Sequence, residues 1–172
     1  MRRHGLVILL VCIFYVGAND VPAQSKRTAP AVKPIDVKGV ERLIHERKGK
    51  ILFLNVWATW CKPCIEEFPD IVRLYSEYPD SVVDIVAISV DYPDEVESKI
   101  LPLLVSHNVT FRVYVADVKK DEDFINVINP SWSGAVPATF IFDADGKQRS
   151  FVFGQKSYPI FKAEIDTVLS SR

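Results

Sequence analysis

The chain has 172 residues, of which 48% are hydrophobic and 25% charged, and its formal net charge is −1. That size holds one domain with an ordinary core plus a short leader. A charge so close to zero gives no sign of a nucleic-acid surface or of binding to an anionic membrane.

The N-terminus is organised like a secretory leader. Arg2 and Arg3 precede an apolar run from Leu6 to Val16, and small-residue cleavage patterns follow, ending at Ala18 and Ala23. The run is shorter than the roughly 18–20 residues that a membrane span requires. Residues 1–23 are therefore read as a signal peptide, with cleavage after Ala23 preferred to cleavage after Ala18. This places the mature protein outside the cytoplasm, in a periplasmic or other extracytoplasmic compartment. Val11 occupies the place where a lipoprotein signal needs a small residue, so no lipid anchor is expected at Cys12. Residues 24–35 are polar and proline-punctuated and read as a flexible lead-in. The folded domain is expected over 36–172.

From Asp36 the pattern predicts a short helix with Val40, Leu43 and Ile44 on one face, stopped by Gly49. Ile51 to Ala58 is a nearly continuous apolar run, as in a central strand buried on both faces. A helix follows from Lys62 to Tyr78, kinked at Pro69. Val82 to Val90 is a second buried strand, Pro93 opens a helix reaching His107, and Phe111 to Ala116 is a third strand. A short helix at Asp121 to Ile128 ends at Asn129-Pro130. Ala138 to Phe142 and Ser150 to Phe153 flank Asp145-Gly146 as a hairpin, and a helix over Tyr158 to Leu169 closes the chain. Alternating strands and helices followed by a hairpin and a helix predict a three-layer α/β fold, with a central mixed sheet flanked by helices.

With Cys12 in the leader, Cys61 and Cys64 are the only cysteines of the mature chain. A bridge spanning two residues constrains the unfolded chain little, so this spacing suits a bond that is made and broken repeatedly. Cys61 falls where a strand ends and a helix begins. There, unpaired backbone N–H groups and the helix dipole favour a thiolate, the species that attacks disulfides. Lys62 adds a neighbouring cation, and Pro63 occupies the first helical turn, where its missing N–H costs nothing. The expected chemistry is attack by Cys61 to give a mixed disulfide, which Cys64 resolves. Structural zinc needs two further ligands that the spacing does not supply, so no metal and no cofactor are expected.

On a helical wheel of 62–78, Cys64, Ile65, Phe68, Ile71, Val72, Leu74, Tyr75 and Tyr78 form one arc, with Glu66, Asp70, Arg73 and Glu77 opposite. Glu67 sits at the edge of the apolar arc, three residues after Cys64. Two readings stand on the pattern: a desolvated carboxylate that exchanges a proton with Cys64, or a first-turn glutamate that reaches water.

The string Trp57-Ala58-Thr59-Trp60-Cys61-Lys62-Pro63-Cys64, with Glu67-Phe68-Pro69 after it, resembles the thioredoxin superfamily, and within it the exported TlpA/ResA-like branch. Gly134-Ala135-Val136-Pro137-Ala138-Thr139-Phe140 is similar to that superfamily's cis-proline loop, and Gly154 to the glycine that ends its last strand. The resemblance implies that Cys61 is the exposed nucleophile and Cys64 the buried resolving thiol. It further implies that Glu67 is the acidic residue beside the dithiol. Pro137 would be cis, leaving the Val136 backbone to bind an extended substrate segment. Trp60 would shield the dithiol, while Trp57 packs in the core. The implied activity is reduction of disulfides in a client protein, of the cytochrome c or copper-site maturation type. The implied electron donor is a membrane partner, and the protein is expected to be a monomer. The stretch from Asp91 to Pro130, particularly Asp117 to Asp123, has no detailed match; it either shapes the substrate surface or is a solvated connector, and the connector is preferred. Two alternatives remain. A thiol peroxidase of this fold carries a threonine where Ala58 stands. A Cu(I) chaperone would have two soft thiolates to offer.

Overall fold

A computed structural model describes residues 30–171, so the expected signal peptide and the first half of the lead-in lie outside the described residues. The elements are β1 (Lys33–Ile35), α1 (Val37–His45), β2 (Ile51–Trp57), α2 (Lys62–Glu77), β3 (Val83–Ser89), α3 (Leu101–Ser106), β4 (Arg112–Ala116), α4 (Asp121–Ile128), β5 (Ala138–Phe142), β6 (Gln148–Phe153) and α5 (Tyr158–Ser170). The six strands form one sheet in the order β1-β4-β3-β2-β5-β6. Neighbours from β1 to β2 run parallel, whereas β5 is antiparallel to both β2 and β6. The mixed sheet is the one expected, and none of the described helices is long and apolar enough to cross a membrane.

Every residue of β2 is buried, because its period-two alternation supplies both faces of the sheet. Ile51, Phe53 and Trp57 join the core beneath α2 and α5, where Phe68 and Phe161 pack. Leu52, Leu54 and Val56 join a second core with Val40 and Ile44 of α1, Phe124 of α4, and Trp132. The same alternation turns the one polar residue of the strand, Asn55, toward the α2 side.

Two expectations change. The last three residues of the expected lead-in form β1, whose Lys33, Pro34 and Ile35 pair with Tyr114, Val115 and Ala116. A proline is tolerated there because β1 is an edge strand. The single helix expected from Pro93 to His107 is instead a 3₁₀ turn (Pro93–Glu95), a π turn (Val96–Ile100) and α3. Pro102, in the first turn of α3, has no N–H to donate back one turn, and its ring crowds the preceding carbonyls. The helix before it widens accordingly.

Candidate active site

Strand β2 ends at Trp57, and Ala58-Thr59-Trp60 leads directly into α2. Cys61 is the N-cap residue of α2, in extended backbone geometry. It is joined to Cys64 by a disulfide, and its sulfur accepts the Cys64 N–H at 3.3 Å. The resemblance implied an exposed Cys61, but in this disulfide form it keeps only 5% of its surface, against 1% for Cys64. Its side chain is folded back over the helix start rather than pointing outward. Lys62 reaches solvent and pairs with Glu66 at 3.6 Å, so water screens its charge from the sulfurs. Pro63 lies in the first turn, as expected.

Glu67 lies on the same face of α2 as Cys64, one turn on, and its accessibility is 0%. Asn55 Nδ2 donates to one carboxylate oxygen at 2.7 Å, and the Lys156 backbone N–H donates to the other at 3.3 Å. Burial pushes the Glu67 carboxyl up to about 7, against the lowering effect of these two hydrogen bonds. Glu67 is therefore desolvated and does not reach water as the other reading of the helical pattern required.

Asn55 also donates to Thr139 Oγ1 at 3.1 Å, and the antiparallel register places Asn55 opposite Thr139. The sequence reading did not single out Asn55 or Thr139. The available signal was one amide within an otherwise apolar buried strand.

A second carboxylate was also missed. Asp91, with 4% of its surface exposed, follows the end of β3. It accepts the Thr59 N–H at 2.8 Å, the Thr59 hydroxyl at 2.7 Å and the Ser89 hydroxyl. These bonds tie Thr59, two residues before Cys61, to the end of the neighbouring strand. Trp57 is fully buried and meets Phe68 edge-on at 4.7 Å, whereas Trp60 is 70% exposed.

The Val136–Pro137 peptide bond is cis. Because Ala138 pairs with Val56, this loop meets the sheet where β2 runs out into the dithiol. Val136 packs against the apolar cluster that contains both cysteines. Gly134 has φ +83, a conformation that strains any L side chain, and a Cβ there would also displace Ile125 Cδ1, 2.8 Å away. Trp132 Nε1 donates to Ala135 O at 2.9 Å and braces the loop.

Beside the dithiol is a cleft of about 530 Å³, with Trp60, Tyr92, Trp132, Asp117 and Asp121 in its lining. Of the segment that had no detailed match, Asp117, Val118, Asp121, Phe124 and Ile125 line this cleft together with Trp60. No cluster of three or more metal-ligating side chains occurs among the described residues.

A family model described as the AhpC/TSA family matches residues 26–150. The chain belongs to the AhpC/TSA family. It is 30% identical to thiol-disulfide oxidoreductase ResA of Geobacillus thermodenitrificans, over 98% of this chain and 94% of that one. It is also 30% identical to ResA of Bacillus subtilis, over 88% and 83% of the two chains. In fold it is similar to a thioredoxin-family thiol:disulfide interchange protein from Chlorobium tepidum. That match has a TM-score of 0.61 and 24% identity, and covers 72% of this chain and 83% of that one. A thioredoxin-related protein from Neisseria meningitidis serogroup B is also similar, with a TM-score of 0.61 and 22% identity over 70% and 85% of the two chains. This family member is a thioredoxin-like thiol–disulfide oxidoreductase of ResA type, with Cys61 and Cys64 as its redox disulfide.

Proposed function

We propose that the protein is an exported reductant of protein disulfides, and that its clients belong to cytochrome c or copper-site maturation. The observation that carries the reading is a disulfide at the start of α2 with a buried carboxyl poised near neutrality one turn away. In the reduced protein the Cys61 thiolate attacks one sulfur of a client disulfide, and the other client sulfur leaves as a thiolate and takes a proton. Glu67, as carboxylate, accepts the proton of Cys64. The Cys64 thiolate then attacks Cys61, releases the second client thiol and restores the disulfide seen here. Two electrons pass to the client, and a membrane donor returns them. A group that titrates near 7 can take and return that proton with little driving force in either direction.

In this reading Val136 and Pro137 offer backbone to an extended client segment and Trp60 forms one wall of the site. Pro63 preorganises the first turn, while Lys62 tunes the potential only weakly from solvent. The mature domain begins after a cleaved leader ending at Ala18 or Ala23, and it acts as a monomer outside the cytoplasm.

Cys61→Ala is expected to reduce turnover in a disulfide-exchange assay to the uncatalysed background, and full activity in that variant would sink the reading. Equilibration with a glutathione series gives the direction. A potential near roughly −270 mV supports reduction, and one near roughly −120 mV supports oxidation.

A further inference from the structure

The cleft beside the dithiol is lined by both chain segments that lead into the reactive residues: Trp60, which precedes Cys61, and Trp132 to Gly134, which precede Val136. Phe124 and Ile125 of α4 line it as well, and Tyr92 stands at its side with 74% of its surface exposed. Aromatic and aliphatic surface of this kind binds an apolar side chain.

The polar part of the lining has one sign. Asp91, Asp117 and Asp121 are present, and no Lys, Arg or His is. Asp91 is occupied by Thr59 and Ser89. Asp117 and Asp121 are exposed at the end of β4 and the start of α4, and neither is in an ion pair among the described residues. The groove along α1, which Asp117 also borders, is different, because Arg42, Arg47, Lys48, Lys50 and Arg112 share its lining with acids.

We infer that this cleft receives the client segment adjoining the attacked disulfide, and that it selects an apolar side chain with a lysine or arginine beside it. The inference rests on the reading of Cys61 as nucleophile. A client strand lying along Val136 continues past Gly134 into the cleft, because alternate side chains of a strand point the same way. Its apolar residue packs on Trp60 and Trp132. The adjoining cation meets Asp117 and Asp121, which lack a partner of their own.

The test uses the reduced full-length protein and three peptides of equal length, each closed by one disulfide. The residues beside the attacked cysteine are Leu-Lys, Leu-Glu or Ser-Lys. Neutral hydroxyethyl disulfide serves as the reference substrate. The Leu-Lys peptide is expected to react with about fivefold higher kcat/KM than Leu-Glu, as for one or two partly exposed ion pairs, and about tenfold higher than Ser-Lys. The Lys-to-Glu ratio is expected to fall toward unity in Asp117→Asn/Asp121→Asn and at about 1 M salt. Because this is a ratio within each protein, partial loss of folded variant does not affect it. Equal rates for the three peptides, with hydroxyethyl disulfide still reduced, would overturn the cleft alone. A charge preference that survives the double variant would do the same. No reduction of any of the four substrates would overturn the dithiol reading, and the cleft with it.

Discussion

The two ends of β3 hold their carboxylates in different ways. At its start, Asp84 is bridged by two guanidiniums, Arg112 and Arg47, the latter 2.9 Å away with only 3% of its side chain exposed. Arg47 also donates to the carbonyls of Leu43 and Ile51, so it joins the end of α1 to the start of β2. At the finish of β3, Asp91 receives only hydroxyl and amide donors, and nearby Glu67 receives only amide donors. At the start of the strand the carboxylate is held by cations that join three elements of the fold. Beside the dithiol, burial raises the Glu67 carboxyl to about 7 against the lowering effect of its amide donors and of the Lys156 charge.

This contrast can be broken most severely at the structural end. Asp84→Ala strands the buried Arg47 charge and is expected to cost about 3 kcal/mol by urea unfolding. A change within experimental error would show that the pair contributes nothing.

Glu67 gives the next largest effect, and with a distinct pH signature. The folded protein keeps the Glu67 proton up to about 7, while the unfolded chain releases it near 4.5. Between those values the folded state binds the extra proton, so stability falls as pH rises from about 4.5 to about 7, then levels off. The full effect is on the order of 3 kcal/mol. Glu67→Gln is expected to remove this slope from unfolding curves of the oxidised protein. A variant that keeps the full slope would place the titration elsewhere.

The smallest effect on folding is expected at Trp60. With 70% of its surface exposed, Trp60→Ala should shift stability by about 0.5 kcal/mol or less, while slowing reduction of the Leu-Lys peptide. Equal rates for variant and wild type would remove Trp60 from the client surface.

Much of this architecture was legible from residue pattern. The nearly continuous apolar run from Ile51 to Ala58 fits a strand covered on both faces, and Ile51–Trp57 form one. The Asp36 cap and the Asp145-Gly146 hairpin also lie where the local chemistry puts them. The helix after Pro93 was less legible, because apolar periodicity does not register how Pro102 disturbs the turns before it. The strand at Lys33–Ile35 was illegible for a related reason: three residues carry no periodicity, and their pairing with β4 is a long-range event. At the site, the dithiol and its place at a helix start could be read directly. The roles of Asn55, Thr139 and Asp91 could not, since each depends on which neighbour the sheet register brings opposite.

The sequence by itself determined that two cysteines sit at a strand-to-helix junction, and that a glutamate follows one turn later at the margin of the apolar face. Those are consequences of spacing along one chain. Only the tertiary structure decided that Glu67 is wholly buried against Asn55 and Lys156, that Asp91 ties down the loop before Cys61, and that the acidic segment after β4 lines a cleft with Trp60. Each depends on segments distant in sequence meeting across the sheet, where exclusion of water decides whether a carboxylate holds a charge or a proton.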